Sequence, residues 1–187
     1  MKTEPIIRKL YQGKVEVKFF PDSHIYMING KRNTGVTTYI GIKDKSRPLI
    51  LWAVGLMKDY LLNLKEITAN EVELGANQHT IRKEQAATKG DEAHKWIENY
   101  INAKKGKGEH PEMPEDKDVL IAVNAFMDWV KKYKVSFVNT ERIVYSLQHD
   151  YSGKMDIEAI VEGKRCLVDI KTSNSLYNDV RLQTAAY

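Results

Sequence analysis

Residues 151–173 read YSGKMDIEAIVEGKRCLVDIKTS, and the reading of this stretch decides the fold. Strand-type runs at Lys154 to Val161 and Arg165 to Lys171 are separated by the turn residues Glu162-Gly163-Lys164, which predicts two antiparallel strands joined by a tight hairpin. Asp156 falls near the beginning of one strand and Asp169 near the end of the next. Antiparallel pairing therefore brings these two carboxylates to the same edge of the sheet. Lys171 lies two residues beyond Asp169 and, with the strand period of two, projects to the same face.

Working outward, Arg142 to Leu147 reads as a strand before the hairpin, so the C-terminal half holds a meander of three short strands. Ser175 is placed to cap a final helix carrying Gln183 and Tyr187. Towards the N-terminus, Val119, Val123, Phe126, Met127 and Val130 mark an amphipathic helix, preceded by a flexible loop from Lys104 to Pro114. Another helix is expected from about Lys89 through Ala103, with Trp96, Ile97, Tyr100 and Ile101 as its apolar stripe. Thr68 and Glu71 form a capping box that opens a helix before it. Leu49, Trp52, Ala53, Leu56, Met57, Tyr60, Leu61 and Leu64 have helical spacing and read as a core-facing stripe. Val15, Val17 and Phe19 alternate as on a half-buried strand, and Asn29-Gly30 after Ile25 to Ile28 signals a type I′ hairpin. Together these predict an α+β (α/β) fold, a small central mixed sheet flanked by helices. One domain spans 1–187, with the N-terminal hairpin and helices in 1–87 and the core in 88–187.

Twenty-nine Lys and Arg against 25 Asp and Glu give a net charge of +4, which favours a polyanionic partner only mildly. The single cysteine, Cys166, excludes an intramolecular disulfide and cannot alone hold a four-cysteine zinc or iron–sulfur centre. Met1 to Leu10 has no apolar signal core, and the longest apolar stretch, near Leu49 to Met57, is too short to span a bilayer. A soluble, intracellular, cytoplasmic protein without a membrane partner is expected. No G-x-x-x-x-G-K-[ST] loop is present, so no bound nucleotide is expected.

Two carboxylates at one sheet edge suit a hard divalent cation such as Mg²⁺, which takes one or two acids and completes its shell with water and phosphate oxygens. A lysine beside them can orient a water nucleophile and offset charge that develops on phosphorus. The plain alternative for Asp169-Ile170-Lys171 is a surface ion pair of little energetic consequence.

Context extends this short motif. Gly90-Asp91-Glu92-Ala93-His94 on a helix, Glu141 at a strand start, Tyr151 to Asp156, Leu167 to Ser173 and Gln183-Thr184-Ala185-Ala186-Tyr187 follow one another in order. From Gly90 to Tyr187 the chain resembles the PD-(D/E)XK nuclease superfamily, specifically its RecB-type exonuclease branch. Upstream, His24 to Tyr26, Asn29-Gly30, Val36-Thr37-Thr38 and Leu51-Trp52-Ala53 look like the entry segment of phage and bacterial members.

The resemblance implies a restriction-endonuclease-like core in which Asp156, Asp169 and the backbone carbonyl of Ile170 bind Mg²⁺ or Mn²⁺, while His94 adds a ligand or contacts a second ion. Read by itself, His94 is more readily a helix histidine satisfied by nearby backbone than a ligand. Gly90, one turn earlier, leaves room for a strand or substrate to approach. Glu141 is either an acid in the cation's outer shell or a charged strand-end residue. Gln183 and Tyr187 share a helical face and can reach the site or the DNA backbone, or Tyr187 fills core.

The implied activity is ATP-independent DNA exonuclease action, on single or double strands and without an iron–sulfur cluster. The alternatives are a catalytically silent DNA-binding or assembly module and a structural domain whose ion pair mimics the motif. Members usually continue beyond this tyrosine, so a homo-oligomer or a recombination partner is expected to complete the fold. His79, His110 and His149 read as ordinary, Lys43, Lys45, Arg47, Lys104, Lys105 and Lys107 as solvated surface, and Trp52, Trp96 and Trp129 as core.

Overall fold

The computed structural model describes residues 3–173 and 175–187. An antiparallel meander opens the chain: β1 (Ile6–Leu10), β2 (Val15–Phe20), β3 (Ile25–Ile28) and β4 (Lys31–Gly35). The alternation read at Val15, Val17 and Phe19 is real, and all three side chains are buried. Asn29 and Gly30 both take positive φ, 47° and 81°, as a type I′ turn demands. β1 carried no signal because it is an edge strand with only Ile6 and Leu10 half-buried.

Four helices follow a short one: α1 (Val36–Ile40), then α2 (Ser46–Leu62), α3 (Ala69–Ala76), α4 (Gln78–Lys104) and α5 (Lys117–Lys132). The Thr68 cap is present, its hydroxyl accepting from the Glu71 N–H at 3.2 Å. Only half the capping box forms, because the Glu71 carboxylate instead accepts from the Tyr60 hydroxyl of α2 at 2.6 Å. α4 begins at Gln78, eleven residues ahead of the expected Lys89, and so runs across the 87/88 division between N-terminal part and core. Its first half lacks an apolar stripe, which removed the periodicity that marks a helix.

The stripe on α2 does not form core. No residue of α2 is fully buried, and Trp52 is 44% exposed. Trp96 behaves as expected, buried with its indole N–H donating to the Glu112 carbonyl at 2.6 Å, and Trp129 is half-buried against the same core. That bond also pins the segment after α4 that the sequence had suggested was a free loop.

The main core lies where α4 and α5 pack on the sheet. Ala93, Ile97 and Ile101 of α4 meet Val119 and Val123 of α5 and Ile157 and Ala159 of the sheet. Each fully buried branched side chain contributes roughly 1.5–3 kcal/mol. The second core, Val15, Val17, Phe19 and Tyr26 with Ile143, joins the N-terminal meander to the later strands.

Those later strands are β5 (Ser136–Ser146), β6 (Tyr151–Val161) and β7 (Lys164–Val168), followed by α6 (Asn178–Ala186). β5 and β6 are eleven residues each, longer than the short strands expected. The strand order is β1-β2-β3-β4-β6-β5, with β4 parallel to β6, so the fold is α+β with a seven-stranded mixed sheet. β5 lines one edge of β6 from Tyr151 to Ile160, with a register shift between Phe137 and Asn139 and no pair at Asp156. On the other edge, β4 pairs only at Tyr151 and Ser152, and β7 pairs from Ile157 to Val161. Gly153 to Asp156 therefore has no strand neighbour on that edge, and the candidate site is built in this gap.

Two boundaries differ from expectation. β7 ends at Val168, so Asp169 to Lys171 is not strand, because the Ile170 N–H is drawn to the Asp156 side chain instead of a β6 carbonyl. The N-cap of α6 is Tyr177, not Ser175, whose carbonyl accepts from the Ser173 hydroxyl. Among the described residues, no helix is long and apolar enough to cross a membrane.

Candidate active site

The β6–β7 ladder ends at Ile157↔Val168, and the residues next beyond it, Asp156 and Asp169, lie close enough for the charge of one to act on the other. Asp156 Oδ2 accepts from the Ile170 N–H at 2.8 Å and lies 3.6 Å from His94 Nδ1. Glu141, across the other edge of β6, completes a cluster in which ligand atoms of His94, Glu141 and Asp156 all lie within 4.8 Å of one another. His94, Glu141 and Asp156 thus converge, although Glu141, expected to open a strand, lies in the middle of β5 because the strand begins at Ser136.

Glu141 achieves this through unusual backbone. It adopts φ 53° inside β5, a left-handed conformation that costs a non-glycine residue on the order of 1 kcal/mol or more. Where the ladder is disturbed, the Thr140 hydroxyl donates to the Asp156 carbonyl at 3.0 Å. The Glu141 carboxylate is held in an ion pair by Lys154, which also lies 5.5 Å over the Phe19 ring. Lys154 and Asp156 are two residues apart on β6, a spacing that could have flagged Lys154 from sequence.

Asp169 sits differently. Its side chain is only 3% exposed, and neither carboxylate oxygen receives a hydrogen bond of acceptable geometry among the described residues. Its close contact is an ion pair with Lys171, so the two meet although neither lies on a strand. Asp169 is not a member of the His94–Glu141–Asp156 cluster. Its charge is nonetheless felt at Asp156, whose carboxyl is pushed above the ordinary aspartate range. Burial is the main cause, the Ile170 N–H and His94 oppose it, and Asp169 adds to it.

Gln183 and Tyr187 of the α6 segment reach the same gap. The Gln183 amide donates to the Tyr187 hydroxyl at 3.1 Å, and the Tyr151 hydroxyl donates to the Ala186 carbonyl at 2.8 Å, fastening α6 to β6. The Tyr187 ring lies so close over Gly153 that a Cβ there would overlap it. Glycine inside a strand marks close approach of another group, and this signal was legible in the sequence. Gly90 has the same explanation in milder form, since a Cβ there would meet the Thr172 hydroxyl at 3.3 Å.

Tyr26 also borders the site. Burial raises its phenol strongly, with Tyr187 and Glu141 adding, and burial raises Tyr187 as well. Both remain neutral hydrogen-bond donors at any ordinary pH. A cleft of about 730 Å³ opens over Asp156, Lys154, Gln183, Tyr187 and Tyr26, while Lys171 lines a separate cleft of about 780 Å³ between α4 and α5.

Lys43 and Lys45, expected to be free surface charges, pair with Asp179 at the start of α6. Among known proteins, no family model, curated protein or solved structure matches the chain.

Proposed function

We propose that the chain is a metal-dependent nuclease of the PD-(D/E)XK kind, hydrolysing DNA phosphodiester bonds from a strand end without ATP. The observation that carries this reading is the convergence, in a gap of the sheet, of His94, Glu141 and Asp156 beside the buried, hydrogen-bond-starved carboxylate of Asp169. A buried carboxylate whose one close partner is an ammonium has oxygen lone pairs left to offer a metal cation, and carboxylate oxygens suit Mg²⁺ or Mn²⁺, the added imidazole favouring the softer Mn²⁺. Asp156, Asp169 and His94 would hold the ion, with Glu141 beside them, and the resemblance adds the backbone carbonyl of Ile170. When bound, it supplies a Lewis acid for a phosphate oxygen and lowers the pKa of water.

The chain's own groups account for the rest. Lys171 offers an ammonium next to Asp169, where it can orient the attacking water and stabilise charge on the phosphorane. Tyr187, fixed by Gln183, offers a neutral donor at the cleft floor. The test is digestion of an end-labelled oligonucleotide with Mg²⁺, with Mn²⁺ and with chelator. Cation-dependent release of short products supports the reading. Intact DNA under every condition would leave a silent DNA-binding or assembly module as the better account.

A further inference from the structure

The cleft over Asp156 has a wall that the catalytic reading does not use. β4 and α1 contribute Arg32, Thr34, Thr37 and Thr38 to its lining, against Lys154 and Asp156 of β6. Among the described residues no carboxylate lies within ion-pair distance of the Arg32 guanidinium, and neither its side chain nor the hydroxyls of Thr34, Thr37 and Thr38 make a hydrogen bond. Lys154, by contrast, is already engaged by Glu141. One free guanidinium with several free hydroxyl donors, facing a cleft of about 730 Å³, suits an anion with several acceptor oxygens.

The wall is also firmly placed. β4 pairs in parallel with β6 at Thr34↔Tyr151 and Gly35↔Ser152, and the Asn33 amide nitrogen donates to Asp150 while its carbonyl accepts from Ser152. The backbone that carries Arg32 and Thr34 is therefore fixed against the strand that carries Asp156, while the Arg32, Thr37 and Thr38 side chains are exposed to the cleft.

Resting on the nuclease reading, we propose that the β4–α1 wall grips a phosphate of the DNA strand, Arg32 pairing with its oxygens and Thr37 and Thr38 donating to them, so that a neighbouring phosphodiester is presented to Asp156. Arg32 is a substrate-binding residue and leaves the chemistry to the carboxylates. The phosphate is either internal or terminal, and oligonucleotides with and without end phosphates separate the two.

The experiment measures binding of a fluorescent single-stranded oligonucleotide in chelator, across a salt series, for the wild type, Arg32→Gln and Arg32→Lys. Cleavage of the same oligonucleotide and of a chromogenic mononucleotide diester in Mg²⁺ runs in parallel. Arg32→Gln is expected to weaken oligonucleotide binding about tenfold and to lower the salt slope by roughly 0.7, the value of one phosphate contact on a single strand, with partial rescue by Lys. KM for the oligonucleotide should rise while the small diester is cleaved as before.

Oligonucleotide binding and salt slope equal to wild type would overturn the inference even if the enzyme cleaves. Weakened binding in a protein that cleaves nothing would keep the phosphate wall and sink the nuclease reading. Equal loss on oligonucleotide and small diester would also overturn the inference, since it would mean general damage to the site.

Discussion

Asp156 and Glu158 stand two residues apart on β6 and both are largely shielded from water, yet their surroundings differ in kind. Glu158 receives the Asn139 amide and the Arg142 guanidinium on one oxygen and the Arg165 guanidinium on the other. Those partners, Asn139 first, lower its carboxyl from 4.5 to about 2. Asp156 has one backbone N–H and an imidazole at 3.6 Å, and burial raises its carboxyl. A carboxylate that serves the fold is supplied with donors, whereas one left short of them is free to bind something else.

The sharpest way to break this comparison is to neutralise each acid in turn. Asp156→Asn should lower cleavage at least about a thousandfold, the scale for losing a central electrostatic group. The protein should nonetheless melt no lower at pH 7. An acid whose folded pKa is raised contributes stability only below its unfolded value of 3.8, and its ionised form weighs against folding as pH climbs past that. Differential scanning fluorimetry beside the cleavage assay reads both effects.

Lys171→Met comes next. Cleavage should fall about a hundredfold or more, and the fold should lose on the order of 3 kcal/mol because the buried Asp169 charge is left unpaired. Asp169→Asn in the same background should restore stability but not activity. A Lys171→Met protein as stable as wild type would show that the Asp169–Lys171 ion pair does not support the fold.

Gly153→Ala should displace the Tyr187 ring, with a stability loss of about 1–3 kcal/mol typical of overpacking and a smaller fall in rate. Adding Tyr187→Ala should recover the stability, as urea melts will show.

The smallest effect on cleavage belongs to Glu158→Gln, which should leave it unchanged while costing on the order of 1–2 kcal/mol at pH 7, the solvent-exposed arginines being screened. For the wild type, this contribution is present above pH 4.5 and is lost as pH falls towards about 2. Acid titration of the melting temperature should be shallower for the Gln variant over that window.

Much of the fold could be read because local chemistry forced it: Asn29-Gly30 fixes a turn, Thr68 caps α3, and the apolar stripe of α5 has one period. What escaped reading had no such signature. The first half of α4 has no apolar stripe, β1 is an edge strand, and α2 shows helical spacing without a fully buried face to match it. At the site, the hairpin spacing was enough to bring Asp156 and Asp169 towards one edge of the sheet. The left-handed backbone of Glu141 and the pull of Asp156 on the Ile170 N–H depend on tertiary contacts that spacing cannot encode.

The central claim is that the under-supplied carboxylates form a divalent-cation site and the saturated one does not. Calorimetric titration of Mn²⁺ into the wild type, Asp156→Asn and Glu158→Gln at pH 7 tests it most directly. The account predicts saturable binding by the wild type and by Glu158→Gln, and its loss in Asp156→Asn. No binding by the wild type, or equal binding by Asp156→Asn, would contradict it.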